Sequence, residues 1–471
     1  MAIPVISVEE MRQWEARTWR QGITEEAVID RVGQAIAEWL SERLNTGDHI
    51  LVLAGKGHNG DDGIAAAKHL TPGTVKIIRV NDPSEAIDAV KAALNNKPRY
   101  VLDCLFGIGL NRPLSIDWCE LINTLNQANR EIISIDVPSG LNASSGETMG
   151  TAVMATYTLT VGAAKAGLIC EQSRNNVGYL RILSDVGLVT PPSEGELAFV
   201  EAADFESFPP GSNPSDHKGT RGHLVVVAGS EGYHGASVLA TRAAMRVQPG
   251  LISLWTMPES YLPVASQLQQ AMVHPWRPGF QLPHKSTALL LGPGLASEKA
   301  QEATADWTAE QWRTAELPLI VDASALAWIP PGNTKVTSGF PRIITPHPGE
   351  AARLLGKSTS EIAVDRAAAL RELSEMFGNC WVILKGTHTM VGRKSGRILL
   401  NQNGNPGLAQ GGSGDVLAGI VAGLIAQPRN LKNIERTLSF AVFAHGKAGD
   451  QLARQRRNWL VEELPDAIRF E

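Results

Sequence analysis

NPGLAQGGSGDVLAGIVAGLIA, residues 405–426, decides the fold of the larger part of this 471-residue chain. A glycine-rich loop runs straight into an apolar helix, with one carboxylate, Asp415, in its first turn. Backbone N–H groups freed by Gly411, Gly412 and Gly414 at a helix N-terminus make an anion hole, and the helix dipole adds to its field, so a phosphate belongs there. A carboxylate so close to a phosphate is poorly placed for simple binding, because like charges repel. It is well placed to take a proton from a hydroxyl approaching phosphorus. Asp415 is therefore the candidate base; the plainer alternative is an aspartate capping a helix after a flexible loop.

Upstream of this stretch, HLVVVAGS (223–230), LISLWTM (251–257), ALLLGPG (288–294), LPLIVDA (317–323), RIITPHPGE (342–350), CWVILKG (380–386) and GRILLNQ (396–402) read as strands. Helical patterns at 235–247, 297–313, 361–377 and 415–426 separate several of them. An earlier series repeats the alternation: HILVLAG (49–55), VKIIRV (75–80), YVLDCLF (100–106), EIISIDV (131–137) and YTLTVG (157–162). Ser7 with Glu10 reads as a capping box for a first helix, and a second helix is expected over 25–43. The class is α/β with mostly parallel sheets. Residues 188–218, rich in Pro, Ser and acidic side chains, read as a connection, which places a boundary at 192 and gives domains 1–192 and 193–471. The first carries 17 basic and 22 acidic residues, the second 26 of each.

Lys and Arg number 43 against 48 Asp and Glu, a net charge of −5, so no global positive field gathers nucleic acid or an anionic bilayer. Cys104, Cys119, Cys170 and Cys380 lie far apart without a CxxC pair, which writes neither a disulfide framework nor a zinc site and fits a cytoplasmic location. Charges arrive by Glu9, and no window reaches 18 apolar residues, so neither a secretory signal nor a membrane span is expected. The sequon Asn142-Ala143-Ser144 reads as turn chemistry.

Polar groups gather at further strand ends. ITPHPGEAARLL (344–355) places His347, Gly349 and Glu350 between a strand and a helix, where open α/β sheets bind ligands; His347 reads equally as a turn histidine. KGTHT (385–389) offers a lysine and small donors to a nucleotide's phosphates or ribose, or a solvated turn lysine, and GPGL (292–295) and VDASAL (321–326) end two more strands. LLGKSTS (354–360) imitates a phosphate loop but has Ala351 where that loop needs glycine.

Taken in order, HKGTRGHLVVVAGS, GPGL, VDASAL, TPHPGEAARLL, VILKGTHT and the 405–426 stretch resemble the ADP- or ATP-dependent NAD(P)H-hydrate dehydratases, which have a ribokinase-like fold. The resemblance covers 193–471. It implies that ADP (or ATP) as co-substrate lies against Lys385, Gly386, Thr387, His388 and Thr389, and against Asn405, Pro406, Gly407, Leu408, Ala409, Gln410, Gly411, Gly412, Ser413 and Gly414, with magnesium able to accompany it. The hydrate would contact Ala236, Gly294, His347, Pro348, Gly349, Glu350, Ala351, Ala352, Arg353 and Asp415. In the segment matching VDASAL that family carries a second acidic residue, where Ser324 stands here.

In the first domain VLAGKGHNGDDGIAAAKHL (52–70) is strand, glycine turn and helix. YVLDCLFGIGLNRPL (100–114) puts Asp103 before a second glycine loop, and IISIDVPSGLNASSG (132–146) puts Asp136 and Ser139 at a third strand end. Asn59, Asp103 and Ser139 thus offer oxygens to a hard cation, unless the aspartates merely cap turns. The arrangement resembles the NAD(P)H-hydrate epimerases over 5–190. On that likeness His58, Asn59, Gly60, Asp61, Asp62, Gly107, Ile108, Gly109, Leu110, Asn111, Arg112, Pro113 and Asp136 contact the hydrate, Asn59, Asp103 and Ser139 hold potassium, and Asp136 is the acid/base. That family's turn reads G-N-N-G-G-D-G; His58 and Asp61 replace an Asn and a Gly, and the added carboxylate is expected to weaken anion binding.

The expectation is an N-terminal Rossmann-like three-layer domain followed by a ribokinase-like domain. Together they would interconvert R and S hydrates of NADH and NADPH and restore the S form at the expense of ADP, in a homo-oligomer that engages neither nucleic acid nor membrane. The alternative is a ribokinase-type small-molecule kinase with a nucleotide-binding but non-catalytic first domain.

Overall fold

The computed structural model describes residues 2–71, 73–192, 195–211, 213–332 and 339–470. The chain forms two compact units, one of residues Ile3–Glu196, the other of Leu197–Glu471 with Met1–Ala2. Residues 193 and 194, at the boundary expected from sequence, lie outside the described residues.

The smaller unit carries β1 (Ile3–Pro4), β2 (Ile50–Ala54), β3 (Val75–Arg79), β4 (Tyr100–Cys104), β5 (Glu131–Ile135), β6 (Tyr157–Val161) and β7 (Tyr179–Leu183). Six of these form a sheet in the order β3-β2-β4-β5-β6-β7, with every pairing parallel. β2 and β4 are buried along their whole length, which is why ILVLA and YVLDC read as near-continuous apolar runs rather than alternating ones. The chain passes from β2 outward to β3 and returns to β4 on β2's other side. The carboxyl ends of β2 and β4 therefore flank a topological switch point, where such sheets bind ligands. Helix Val8–Arg20 begins at Ser7, whose Oγ accepts from the Glu10 amide at 3.1 Å while Glu10 accepts from the Ser7 amide at 2.7 Å, the expected capping box. The second helix spans Glu25–Ser41.

The larger unit is built on β8 (Leu197–Val200), β9 (His223–Val227), β10 (Leu251–Thr256), β11 (Met272–Pro275), β12 (Ala288–Leu291), β13 (Leu319–Val321), β14 (Arg342–Ile344), β15 (Trp381–Leu384), β16 (Met390–Gly392) and β17 (Ile398–Asn401). Their order is β8-β17-β16-β15-β14-β13-β12-β9-β10-β11. Only β16 runs antiparallel to its neighbours. The apolar helix Ser413–Ile425 buries almost all its residues against helix His234–Arg246. Gly419 makes that approach possible: a Cβ there would lie 2.0 Å from the Ala240 carbonyl oxygen. Small residues on both helices bring the 411–414 loop down onto helix His234–Arg246, where a Cβ on Gly412 would stand 2.5 Å from Leu239.

Several elements differ from the sequence reading. Residues 197–200, read as part of a connection, form β8 and pair with β17. The helix expected over 361–377 is two helices, Thr359–Val364 and Arg366–Met376, because Asp365 leaves helical geometry and caps the second through the Ala368 amide at 2.8 Å. The strands β1, β7, β11 and β16 had no expectation at all. The phosphate-loop imitation is a helix end, with Gly356 at φ 66° closing one helix and Ser358 capping the next. Asn142 accepts from the amides of Ser144 and Ser145 at 2.9 and 3.0 Å, the turn chemistry expected. Among the described residues no helix is long and apolar enough to cross a membrane.

Candidate active sites

In the larger unit β13, β14 and β15 end side by side, and each delivers one charged group. Asp322 follows β13 and is 2% exposed; its Oδ1 accepts from Lys385 Nζ at 2.8 Å and from Thr345 Oγ1 at 2.6 Å. Lys385 follows β15 with its side chain 15% exposed, and a second carboxylate, Glu350, stands 3.7 Å from Nζ. Burial disfavours the ammonium, but Asp322 and Glu350 outweigh it and hold the Lys385 pKa above its ordinary value. Glu350 is positioned by the start of helix Pro348–Leu355: it accepts from the His347 amide at 2.8 Å. In return His347 Nδ1 accepts from the amides of Gly349 and Glu350 at 3.0 and 3.3 Å. The histidine is thus a helix cap, and burial lowers its pKa. Ala351 and Ala352 are buried in the same helix.

Helix Ser413–Ile425 points its N-terminus at this cluster. Gly412 adopts φ 97°, a left-handed geometry that suits glycine, and a Cβ on Gly414 would lie 3.2 Å from Lys385 Nζ. The ammonium therefore rests on the backbone of the expected anion loop. Asp415 is in the first turn, and burial, with the nearby Asp322 carboxylate, raises its pKa to about 7. A carboxyl poised near neutrality is what a general base for a hydroxyl needs. Ala236 and Gly294 meet, since a Cβ on Gly294 would be 2.9 Å from that of Ala236.

Arg366, Asp450 and His445, which motif reading missed, help to fix the two segments expected to meet the nucleotide, 385–389 and 405–414. Arg366 binds the carbonyls of Leu384 and Lys385, each at 3.2 Å, and that of Thr387, holding the turn Lys385–Thr389 with His388 at φ 51°. Asp450 accepts from the Gly404 amide at 3.0 Å and from Asn405 Nδ2 at 2.9 Å, while Asn405 Oδ1 accepts from the Gly407 amide. Gln410 binds the Gly407 and Trp459 carbonyls, so its amide braces the loop. His445, buried and with its pKa lowered to about 4 by desolvation, donates Nε2–H to the Ser413 carbonyl at 3.0 Å.

In the smaller unit the glycine turns after β2 and β4 enclose a cavity of about 530 Å³. His58, Asn59, Asp62, the run Gly107–Arg112 and Asp136 line it, together with Met11, Arg12, Glu15, Lys56, Leu105, Phe106 and Val161. Gly60, Asp61 and Pro113 are not in that lining. Gly60 instead packs on the preceding turn, where a Cβ would meet the Gly55 carbonyl oxygen at 2.2 Å. His58 turns outward and its Nε2 lies 2.7 Å from Glu25.

Asp136, at φ 63°, is fixed by a residue no motif announced. Its Oδ1 accepts from Lys165 Nζ at 2.5 Å and from the Val161 amide at 3.2 Å, and Lys165, 0% exposed, also donates to Thr160 Oγ1 and the Val161 carbonyl. The signal was a lone lysine in the small apolar run TVGAAKAGL. Asp103 is fully buried; Oδ2 accepts from Ser134 Oγ at 2.7 Å and the Ser139 amide at 2.9 Å, and burial raises its pKa against these bonds. Ser139 Oγ and Asn59 Nδ2 both reach the backbone of Phe106, so the three expected cation ligands converge on one turn. Asn59 Oδ1 is buried without a hydrogen-bond partner, an oxygen that a cation would satisfy. Among the described residues no group of three or more His, Cys, Asp or Glu is set to hold a metal.

The architecture agrees with known proteins. A family model described as NAD(P)H-hydrate dehydratase matches residues 224–469, and one described as YjeF-related protein N-terminus matches 25–96 and 78–167. A ribokinase-like superfamily protein from Enterococcus faecalis superimposes with a TM-score of 0.50 at 25% identity, covering 59% of this chain and 95% of that one. The larger unit is thus ribokinase-like. The bifunctional NAD(P)H-hydrate repair enzyme Nnr of Coxiella burnetii is 32% identical, with 97% of this chain and 96% of that protein aligned. Its namesake from Escherichia coli K12 is 31% identical over 94% and 88%. The chain belongs to the family of bifunctional NAD(P)H-hydrate repair enzymes.

Proposed function

We propose that the larger unit dehydrates the S form of hydrated NADH or NADPH with ADP or ATP as phosphoryl donor, and that the smaller unit interconverts the R and S hydrates. The observation that carries the first half is Asp415: a carboxyl with its pKa near 7, one turn into a helix whose glycine loop is built for phosphate. The hydrate's hydroxyl leaves poorly unaided. Asp415 takes its proton as the oxygen attacks the donor's terminal phosphorus and the nucleotide departs one phosphate shorter; the phosphorylated oxygen then leaves as phosphate, the neighbouring ring carbon gives up a proton to solvent, and the C–H electron pair becomes the restored double bond. Lys385 and the amides of 411–414 face the transferring phosphate, and the 385–389 and 405–410 segments hold the nucleotide. Magnesium would reach this site chiefly through the phosphates, beside Asp322 and Glu350.

In the smaller unit the hydrate occupies the 530 Å³ cavity, with Arg12, Lys56 and Arg112 available to its phosphates. Potassium fits Asn59 Oδ1, Ser139 and the Asp103 carboxylate, where it would steady the turn that carries Gly107. A cytoplasmic homo-oligomer completes the reading; Leu262 and Met272, 74% and 43% exposed near the edge strand β11, offer apolar surface for self-association.

A mixture of R and S hydrates given to the chain with ADP tests both halves. Full recovery of the reduced nicotinamide absorbance supports them. A halt once the S form is gone removes the epimerase, and no recovery at all, with an added alcohol phosphorylated instead, favours the kinase.

A further inference from the structure

We propose that Asp62 is the proton donor of the smaller unit, delivering a proton to the hydrate's hydroxyl while Asp136, pinned by Lys165, faces the positive charge that then develops on the ring. This rests on the epimerase reading of that unit.

Three carboxyl groups line the cavity, Glu15, Asp62 and Asp136, and the last two lie in opposite surroundings. Asp136 spends its Oδ1 on a buried ammonium and a backbone amide. Its Oδ2 stays towards Gly107, where a Cβ would lie 3.4 Å away. Asp62, on helix His58–His69, is 8% exposed, lines the same cavity and has no hydrogen-bond or ion-pair partner among the described residues. Burial raises its pKa well above the ordinary value, and Asp136, Asp61 and Glu15 push in the same direction while Lys165 opposes them. A buried carboxyl without a hydrogen-bond partner, beside a second carboxyl that is held by an ammonium, keeps its proton more readily than a free one and is the group of the two able to give it up.

The chemistry needs such a division. The hydrated carbon neighbours the ring nitrogen, whose lone pair can form a C=N bond as the C–O bond breaks. The C–O electron pair leaves with oxygen, and the Asp62 proton completes a water molecule. Water then adds to the other face of the cationic ring, the C=N pair returns to nitrogen, and the water's proton goes back to the Asp62 carboxylate. Nothing is consumed, so the step runs in both directions, as an epimerisation must.

The test is the full chain and its Asp62→Asn variant, with R-to-S interconversion of hydrated NADH followed by chromatography across pH. Asp62→Asn should lower kcat by about 10²–10⁴-fold with KM nearly unchanged. It should also abolish the fall of the wild-type rate at high pH. Formic acid should restore part of the rate to Asp62→Ala, in proportion to its protonated fraction. A variant within threefold of wild type at every pH, or one that loses KM and kcat together with no rescue, overturns the assignment while the epimerase reading stands. A wild-type chain that leaves the uncatalysed rate unchanged overturns both.

Discussion

Replacing Asp415 by Asn should abolish dehydration and stabilise the larger unit at the same time. Burial raises the Asp415 pKa from 3.8 to about 7. A carboxyl whose folded pKa lies above its unfolded value costs stability as pH rises through that interval, since the unfolded chain ionises first. At about 1.4 kcal/mol per pH unit, the interval sets a ceiling of about 4 kcal/mol above pH 7. Of this, about 2 kcal/mol accrues between pH 5 and pH 7, because the folded carboxyl is itself half ionised at the upper end. Asn cannot ionise, so Asp415→Asn should unfold at a temperature several degrees higher than wild type at pH 8, where each kcal/mol is worth about 2–4 °C in a unit of this size. The gap should narrow steadily towards pH 5. Thermal denaturation of both proteins across pH reads the stability half, and recovery of reduced nicotinamide absorbance reads the activity half. A variant that keeps its activity, or one whose stability advantage does not change with pH, refutes the reasoning.

Other consequences follow from the same contacts. Lys385→Met leaves Asp322 and Glu350 without their buried ammonium and should cost about 3–5 kcal/mol in a urea titration, with nucleotide affinity lost as well. Lys165→Met should do the same to Asp136 in the smaller unit, ending R-to-S interconversion while dehydration of pure S hydrate continues. Gly419→Val should destabilise the larger unit by about 1–3 kcal/mol, because a Cβ there collides with the Ala240 carbonyl; unchanged stability would contradict the helix contact. Exchanging potassium for tetramethylammonium should slow epimerisation and spare dehydration, and Asn59→Leu should make the epimerase insensitive to that exchange.

The parts legible in sequence are those where chemistry is written locally. The 411–414 glycines with Asp415, the HPGE cap and the glycine turns after β2 and β4 each place several backbone groups within a few residues, so spacing alone exposes them. The supports are long-range and leave no spacing to read. Lys165 meets Asp136 across 29 positions, Lys385 meets Asp322 across 63, and Asp450 reaches Gly404 across 46. The strand Leu197–Val200 was hidden by its acidic and proline-rich surroundings, and only pairing with β17 gives LAFV its strand role. His347 shows the reverse: a histidine in a conspicuous motif whose ring nitrogen is committed to capping its own helix.

On the proposed reading, Asp415 directs a hydroxyl of the hydrate onto the phosphate held by the 411–414 loop. Quantifying nucleotide products during dehydration of S-hydrated NADH with ADP tests it most directly. Wild type should form one AMP for each NADH recovered, and Asp415→Asn should form neither product. NADH returning without AMP, or AMP forming at the wild-type rate in the variant, would contradict it.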